Sequence, residues 1–264
     1  MSGYSDIIVE EDGPVALVKF NRPQQLNAMG GTMTSEAAEY FDSLNSGDYR
    51  IRAVVLTGEG RAFCAGGDVT NFPNVNASRR AAPWHRPHGD RSPVLAMRNC
   101  DVPVIGAING YAVGGGFGLA LATDFRICAE DAIFQAAQIK RGITADVGLP
   151  FLQQAEVGTQ RALEIIATAR RVDAREALAL GLVLEVVPKE RLVERALEIA
   201  RQVVENAPLG IAAAKRLVYM PHNDELARVE ELTGMFVGRL FDTDDGREGA
   251  RSFIEKREPT FEGR

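Results

Sequence analysis

Two glycine-rich stretches carry the chemistry this chain has to offer. The first, "GRAFCAGGDV" at 60–69, follows a strand-like run and offers the peptides of Gly66 and Gly67. The second, "GYAVGGGFGLAL" at 110–121, sets three glycines between the strand-like PVIGAIN and an apolar, helix-like run. Backbone without a Cβ at the mouth of a helix presents free N–H groups and the positive end of the helix dipole to an anion or a polarised oxygen. Two such donors converging on one oxygen make an oxyanion hole, and losing one donor costs about 10²–10³ in rate. A carbonyl becoming an enolate suits that hole. The competing reading of the glycines is close packing of strand on helix. The spacing fails GxGxxG, because the third glycine would fall at Leu119 or Leu121, and no GxxxxGK[ST] occurs, so dinucleotide and P-loop chemistry are set aside.

An enolate requires a group that takes and returns a proton. Asp146, in "RGITADVGLP", is an acid in a loop expected to precede a helix. An apolar wall from Ile143, Val147 or Leu149 would raise its pKa; the alternative role is a helix cap. Asp68 reads as a cap and Asp124 as a partner at a helix end. Cys64 has no histidine beside it and reads as a small buried residue. His85 and His88, in "PWHRPHGDR", are interrupted by prolines and have no third ligand, which favours a solvated lid over a metal site.

Alternating elements would hold these loops. DIIVEE and VALVKF flank the turn DGP as a hairpin; TMTSEAAEYFDSLNSG reads as a helix; RAVVLTG, PVIGAIN and FRICA read as strands, with a helix opening at GFGLALAT. This is α/β layering. Residues 71–91 break the pattern with prolines, arginines and asparagines and read as a mobile surface segment. From about 149 onward the chain turns helical: TQRALEIIATA, DAREALALG, ERLVERALEIARQVVENA, LGIAAAKRLVYM and DELARVEELTGMFVGRL, with only LEVV strand-like. Such helices are expected to cover the core or a neighbouring subunit.

Composition narrows the function classes. The 264 residues, 45% hydrophobic and 25% charged, are enough for one large domain with a helical tail. A net charge of -6 gives no footprint for nucleic acid, although Arg79, Arg80, Arg86 and Arg91 could hold a phosphorylated small molecule. Three widely spaced cysteines without a CxxC pair suggest neither disulfides nor zinc. The acidic N-terminus and the lack of long apolar runs predict no targeting segment, no membrane span and a cytoplasmic protein.

The runs "NRPQQLNAM", "FCAGGD", "INGYAVGGGFGLALATDFRICAEDAIF" and "RRVDAREALALGLV", in that order, resemble the enoyl-CoA hydratase/isomerase (crotonase) family across nearly the whole chain. The resemblance implies an α/β, crotonase-like spiral of ββα turns over residues 1–200, then a helical trimerisation region over 201–264. It implies homotrimers or dimers of trimers, an acyl-CoA thioester as ligand, and no cofactor beyond the coenzyme A of the substrate. It makes Gly67 and Gly115 the oxyanion donors. It puts Arg22, Gln25, Leu26, Ala28, Ala65 and Asp68 against coenzyme A, with Phe253 and Lys256 reaching it from a neighbouring subunit.

One departure decides the reading. Family hydratases carry two glutamates that hold the water, and the corresponding positions here are Gly118 and Gln138, neither of which exchanges protons near neutral pH. Asp146 resembles the acid of single-acid Δ3,Δ2-enoyl-CoA isomerases, which makes a double-bond shift the leading expectation. The alternatives are a hydratase with atypical water activation and a non-catalytic acyl-CoA-binding protein. Aryl-CoA dehalogenases of the family have a nucleophilic aspartate at this place but a tryptophan where Gln138 stands, so they are a minor reading.

Overall fold

A computed structural model describes residues 3–68 and 92–264. The segment read as a lid, with Trp84, His85 and His88, lies outside the described residues. The expected hairpin opens the fold: β1 (Ile7–Asp12) pairs antiparallel with β2 (Val15–Phe20), joined by a turn in which Gly13 takes a left-handed φ of 56°. Helix α1 (Met33–Ser43) buries Met33, Ala37, Ala38, Tyr40 and Phe41, the spacing of one helical face. It carries the chain across to β3 (Ala53–Gly58), which lies parallel to β2 and is buried at every residue, as a strand covered on both faces must be.

The chain then steps repeatedly between two sheets. After β4 (Ala62–Cys64) and α2 (Pro93–Asn99) come β5 (Val104–Ile108), β6 (Tyr111–Val113) and α3 (Gly115–Ala122), a complete ββα turn. Next are β7 (Phe125–Ala129), β8 (Ile133–Gln135), a 3-10 turn at Ala137–Arg141, and the helices α4 (Leu149–Val157) and α5 (Thr159–Thr168). The main sheet has the order β1-β2-β3-β5-β7-β10, where β10 is Glu185–Val187. The second sheet, β4-β6-β8-β9, consists of three-residue strands, with β9 at Arg171–Asp173 and α6 at Ala174–Ala179 behind it. Two readings are corrected here. LEVV is not the only strand late in the chain, since β9 pairs antiparallel with β8, and a strand of three residues is too short to display an alternation.

Two cores hold the layers. Between the sheets and helices lie Phe20, Phe41, Phe63, Phe117 and Phe134, all fully buried. On the other face of the main sheet, α7 (Leu192–Val204) packs Leu192, Ala196 and Ala200 onto Val55, Ile105 and Ile127.

The second correction concerns the two helices expected on either side of PHND. They are one helix, α8 (Pro208–Phe241), 34 residues long and continuous through Pro221. An interior proline costs roughly 3 kcal/mol. Anchors on both sides of it outweigh that cost: Lys215 before the proline and Leu226, fully buried, after it. Lys215 Nζ bonds Asp124 Oδ2 at 2.7 Å and the carbonyls of Met97 and Val102 at 3.0 Å each, so all three ammonium protons are used. The last helix, α9 (Asp244–Ile254), lies on the 3-10 turn so closely that a Cβ on Gly249 would stand 2.3 Å from the Arg141 carbonyl carbon. Among the described residues no helix is long and apolar enough to cross a membrane.

Candidate active site

The first glycine loop is positioned by two buried asparagines. Asn27, left-handed at φ 54°, donates to the carbonyls of Glu59 and Ala62 and accepts from the Arg22 N–H. Asn109 donates to the carbonyls of Gly58 and Gly60 and accepts from the Gly58 N–H. Together they fix the turn that leads through β4 into Gly66 and Gly67. Beyond it, Met29 forms a parallel bridge with Gly67, donating to the Gly66 carbonyl at 2.7 Å and accepting from the Asp68 N–H at 3.1 Å. In that pattern the N–H of Gly67 itself points away from Met29, and Gly67 is exposed.

Each glycine of the second loop has its own reason. Gly114 precedes α3 with φ 58° and ψ −125°, a conformation closed to residues with a Cβ. Gly115 opens α3, where the first N–H groups have no partner in the helix. A Cβ on Gly116 would stand 2.0 Å from the Cys64 carbonyl oxygen, so here the packing reading holds. The two loops meet, because a Cβ on Gly66 would lie 3.5 Å from the Gly115 nitrogen. Packing accounts for Gly116, while Gly114 and Gly115 stand at the opening of α3 beside the first glycine loop.

Asp146 comes to this place from the loop before α4. Gln138 Nε2 donates to Asp146 Oδ1 at 3.0 Å, bridging eight residues. The Gln138 amide also lies beside the glycine loop, 3.6 Å from where a Gly114 Cβ would be. Burial pushes the Asp146 carboxyl above the usual aspartate range, and the bonds from Gln138 and from its own N–H oppose that rise. Of the residues expected to wall it, Ile143 and Leu149 are buried and Val147 is partly buried. The helix-cap alternative fails: Gly148 is the N-cap of α4, and no side chain caps it.

Val147, at φ 55°, determines what else fits. Its side chain packs on Gly115, and a Cβ on Gly118 would stand 2.1 Å from its carbonyl oxygen. No glutamate can occupy position 118 while the Asp146 loop runs where it does. On the far side of that loop, Ile139, Ile143, Leu240 and Phe261 line a mostly apolar cleft of about 440 Å³.

The other residues singled out fall into distinct roles. Arg22 pairs with Asp68 at 3.1 Å and donates to the Ala28 carbonyl at 2.5 Å, so its guanidinium ties the Ala28 segment to the first glycine loop. Leu26 is left-handed, and its carbonyl accepts from Ala65 at 3.0 Å; Gln25 is exposed and Ala28 buried beside them. The cap role read for Asp68 would involve residues beyond 68, outside the described residues. Asp124 stands just past the C-terminal end of α3, where it accepts from the Val104 N–H at 2.6 Å and from Lys215. Cys64 is fully buried with its thiol pushed up to about 12, which suits a packing role. Phe253 lies under the Arg141 guanidinium of its own chain, 4.0 Å from ring centre to carbon, and Lys256 is exposed beyond the end of α9. The described residues include no group of three His, Cys, Asp or Glu side chains that could hold a metal.

Sequence reasoning missed the organising roles of Asn27 and Asn109. Their only signal was an asparagine in a turn-rich run and another at a strand end.

Comparison with known proteins agrees with this geometry. The Enoyl-CoA hydratase/isomerase family matches residues 10–264. A carnitinyl-CoA dehydratase from Citrobacter koseri is 35% identical over 266 residues, covering 96% of each protein. An enoyl-CoA hydratase/isomerase from Pseudoalteromonas atlantica T6c superposes with a TM-score of 0.88 at 29% identity, over 98% of this chain and all of its own. A monofunctional enoyl-CoA isomerase from M. smegmatis superposes at 0.67 with 36% identity, over 82% of this chain and 93% of its own. The match takes in both glycine loops, Asp146 and the helical region, and the chain belongs to the enoyl-CoA hydratase/isomerase family.

Proposed function

We propose that this enzyme shifts the double bond of a 3-enoyl-CoA to the 2-position, with Asp146 as the proton shuttle. The carboxylate removes a proton from C2, the N–H groups of Gly67 and Gly115 hold the dienolate oxygen, and the same acid returns the proton at C4. The observation that carries this reading is the partly buried Asp146 carboxyl beside the second glycine loop, the one acid placed there among the described residues, with Gly118 closed off by Val147 and an amide at 138. Neither position can supply a second acid to activate water. Coenzyme A would lie along Arg22, Gln25, Leu26, Ala28, Ala65 and Asp68, with Phe253 and Lys256 reaching it from a neighbouring subunit, and no metal or further cofactor takes part. The assembly would be a homotrimer or a dimer of trimers in the cytoplasm, with 1–200 as core and 201–264 as the helical region.

The test is incubation with a 3-enoyl-CoA in D₂O, following deuterium uptake by mass spectrometry and conjugation by ultraviolet absorbance, beside Asp146→Asn. Exchange with conjugation that Asp146→Asn abolishes is the expected result. Normal binding with neither would sink it and favour a carrier of acyl-CoA. A second reading, hydration through Asp146 and a differently held water, draws on the 35% identity to a carnitinyl-CoA dehydratase. Hydration of a 2-enoyl-CoA that depends on Asp146, faster than isomerisation, would favour it.

A further inference from the structure

We infer that Gln138 is a positioning residue that holds the Asp146 carboxyl in both of its protonation states. The inference rests on Asp146 being the shuttle of the proposed reaction. Gln138 is 6% exposed, its Nε2 bonds Asp146 Oδ1 at 3.0 Å, and its Oε1 is buried with no hydrogen-bond partner among the described residues. A buried carbonyl without a donor costs about 1–3 kcal/mol. The cost falls away once the neighbouring carboxyl carries a proton. The two ends of a carboxamide have nearly the same shape, so a half-turn about its last bond exchanges a donor for an acceptor. With Asp146 ionised, N–H faces the carboxylate. With Asp146 protonated, Oε1 faces the acid and accepts its O–H. Among the described residues no second donor fixes the amide in one orientation, so the state of the carboxyl selects it.

A shuttle that alternates between base and acid needs such a partner. A glutamate at 138 would repel the carboxylate, and a lysine would hold it ionised; the amide does neither. Among the described residues no charged side chain acts on Asp146, whose carboxyl is set by burial, the Gln138 amide and its own N–H. Next to it in the chain, Val147 packs on Gly115 and Gly118 at the start of α3, a contact of glycine and apolar groups. Lys140 and Arg141 sit on the 3-10 turn of Gln138 itself, and Arg141 is turned to Phe253. The proton balance is closed: the one that leaves C2 rides on Asp146 and is returned at C4, and Gln138 neither gains nor loses one.

Gln138→Met keeps size and removes the hydrogen bonds, and Gln138→Glu keeps shape and adds charge. Two measurements are made on each full-length protein. The first is the titration of the Asp146 carboxyl by carbon-13 NMR without ligand, assigned with Asp146→Asn. The second is kcat and KM for 3-enoyl-CoA against pH. The expected outcome for Gln138→Met is an Asp146 midpoint at higher pH, because the charged carboxylate loses more with its donor than the neutral acid loses with its acceptor, and kcat about 10–100-fold lower with KM nearly unchanged. Gln138→Glu should move the midpoint higher still. An unchanged midpoint in both variants overturns the inference, as does an unchanged kcat in an active enzyme. If the wild type leaves 3-enoyl-CoA untouched while the NMR midpoint still moves, the isomerase reading fails and the Gln138–Asp146 pairing stands.

Discussion

Asp146 combines a charge with an apolar setting, and the combination fixes two measurable signs. Burial raises its folded-state pKa above the unfolded value, and no cation among the described residues offsets this. Its contribution to stability is therefore fully present below the unfolded pKa, near 3.9, and is lost as pH rises through the folded value. At pH 7 the native chain bears the cost of ionising a desolvated carboxyl. Asp146→Asn should raise the melting temperature at pH 7, and the gain should vanish near pH 3, as thermal unfolding monitored by circular dichroism would show. The same substitution should lower kcat for 3-enoyl-CoA by about 10²–10⁴ while binding is retained. Because proton removal needs the carboxylate, kcat/KM should fall on the acid side in one proton step whose midpoint lies above the usual aspartate range; a midpoint at or below that range contradicts the assignment. Asp146 was legible in the sequence because the run around it resembles that of single-acid isomerases of the family. Its bond to Gln138 was not, since it depends on how a 3-10 turn and an eight-residue loop close on each other.

At the scale of elements, the meeting of α3 with the loop before α4 controls which chemistry the site supports. Gly116 lets the helix approach β4, and Gly118 lets Val147 pass with its carbonyl against the helix. Replacing Gly118 with glutamate, the residue of family hydratases, should not create a hydratase. The new Cβ meets backbone at 2.1 Å, so the Asp146 loop must move. Overpacking of this kind costs about 1–3 kcal/mol. Both Gly118→Ala and Gly118→Glu should therefore lower the melting temperature and the isomerisation rate together, without hydration of 2-enoyl-CoA. Hydration in Gly118→Glu with stability unchanged would show that the loop adapts freely. Sequence patterns gave away β1, β2, β3, β5 and β7 because each runs five residues or more with an apolar face. The four-stranded second sheet was hidden, since three residues carry no period, and its strands were known only through the ββα repeat that the resemblance implied.

For the whole molecule, α8 has two faces with different fates. Ala212, Lys215, Leu226, Glu230, Thr233 and Val237 point inward and are buried, while Leu209, Leu217 and Met220 fall on another side and are each at least 65% exposed. Three large apolar side chains within four turns of one helix are an unusual thing to leave in water. Their exposure in the single chain is what an assembling helical region would look like before its neighbours are added. Light scattering should accordingly give three or six times the 28.6 kDa chain mass at micromolar concentration. Leu217→Glu combined with Met220→Glu should reduce the mass toward a single chain while leaving the circular dichroism of the core intact, because neither residue touches the buried face. If the wild type runs at one chain mass, the trimeric assembly fails, and the exposed side of α8 must be covered by something other than a copy of this chain.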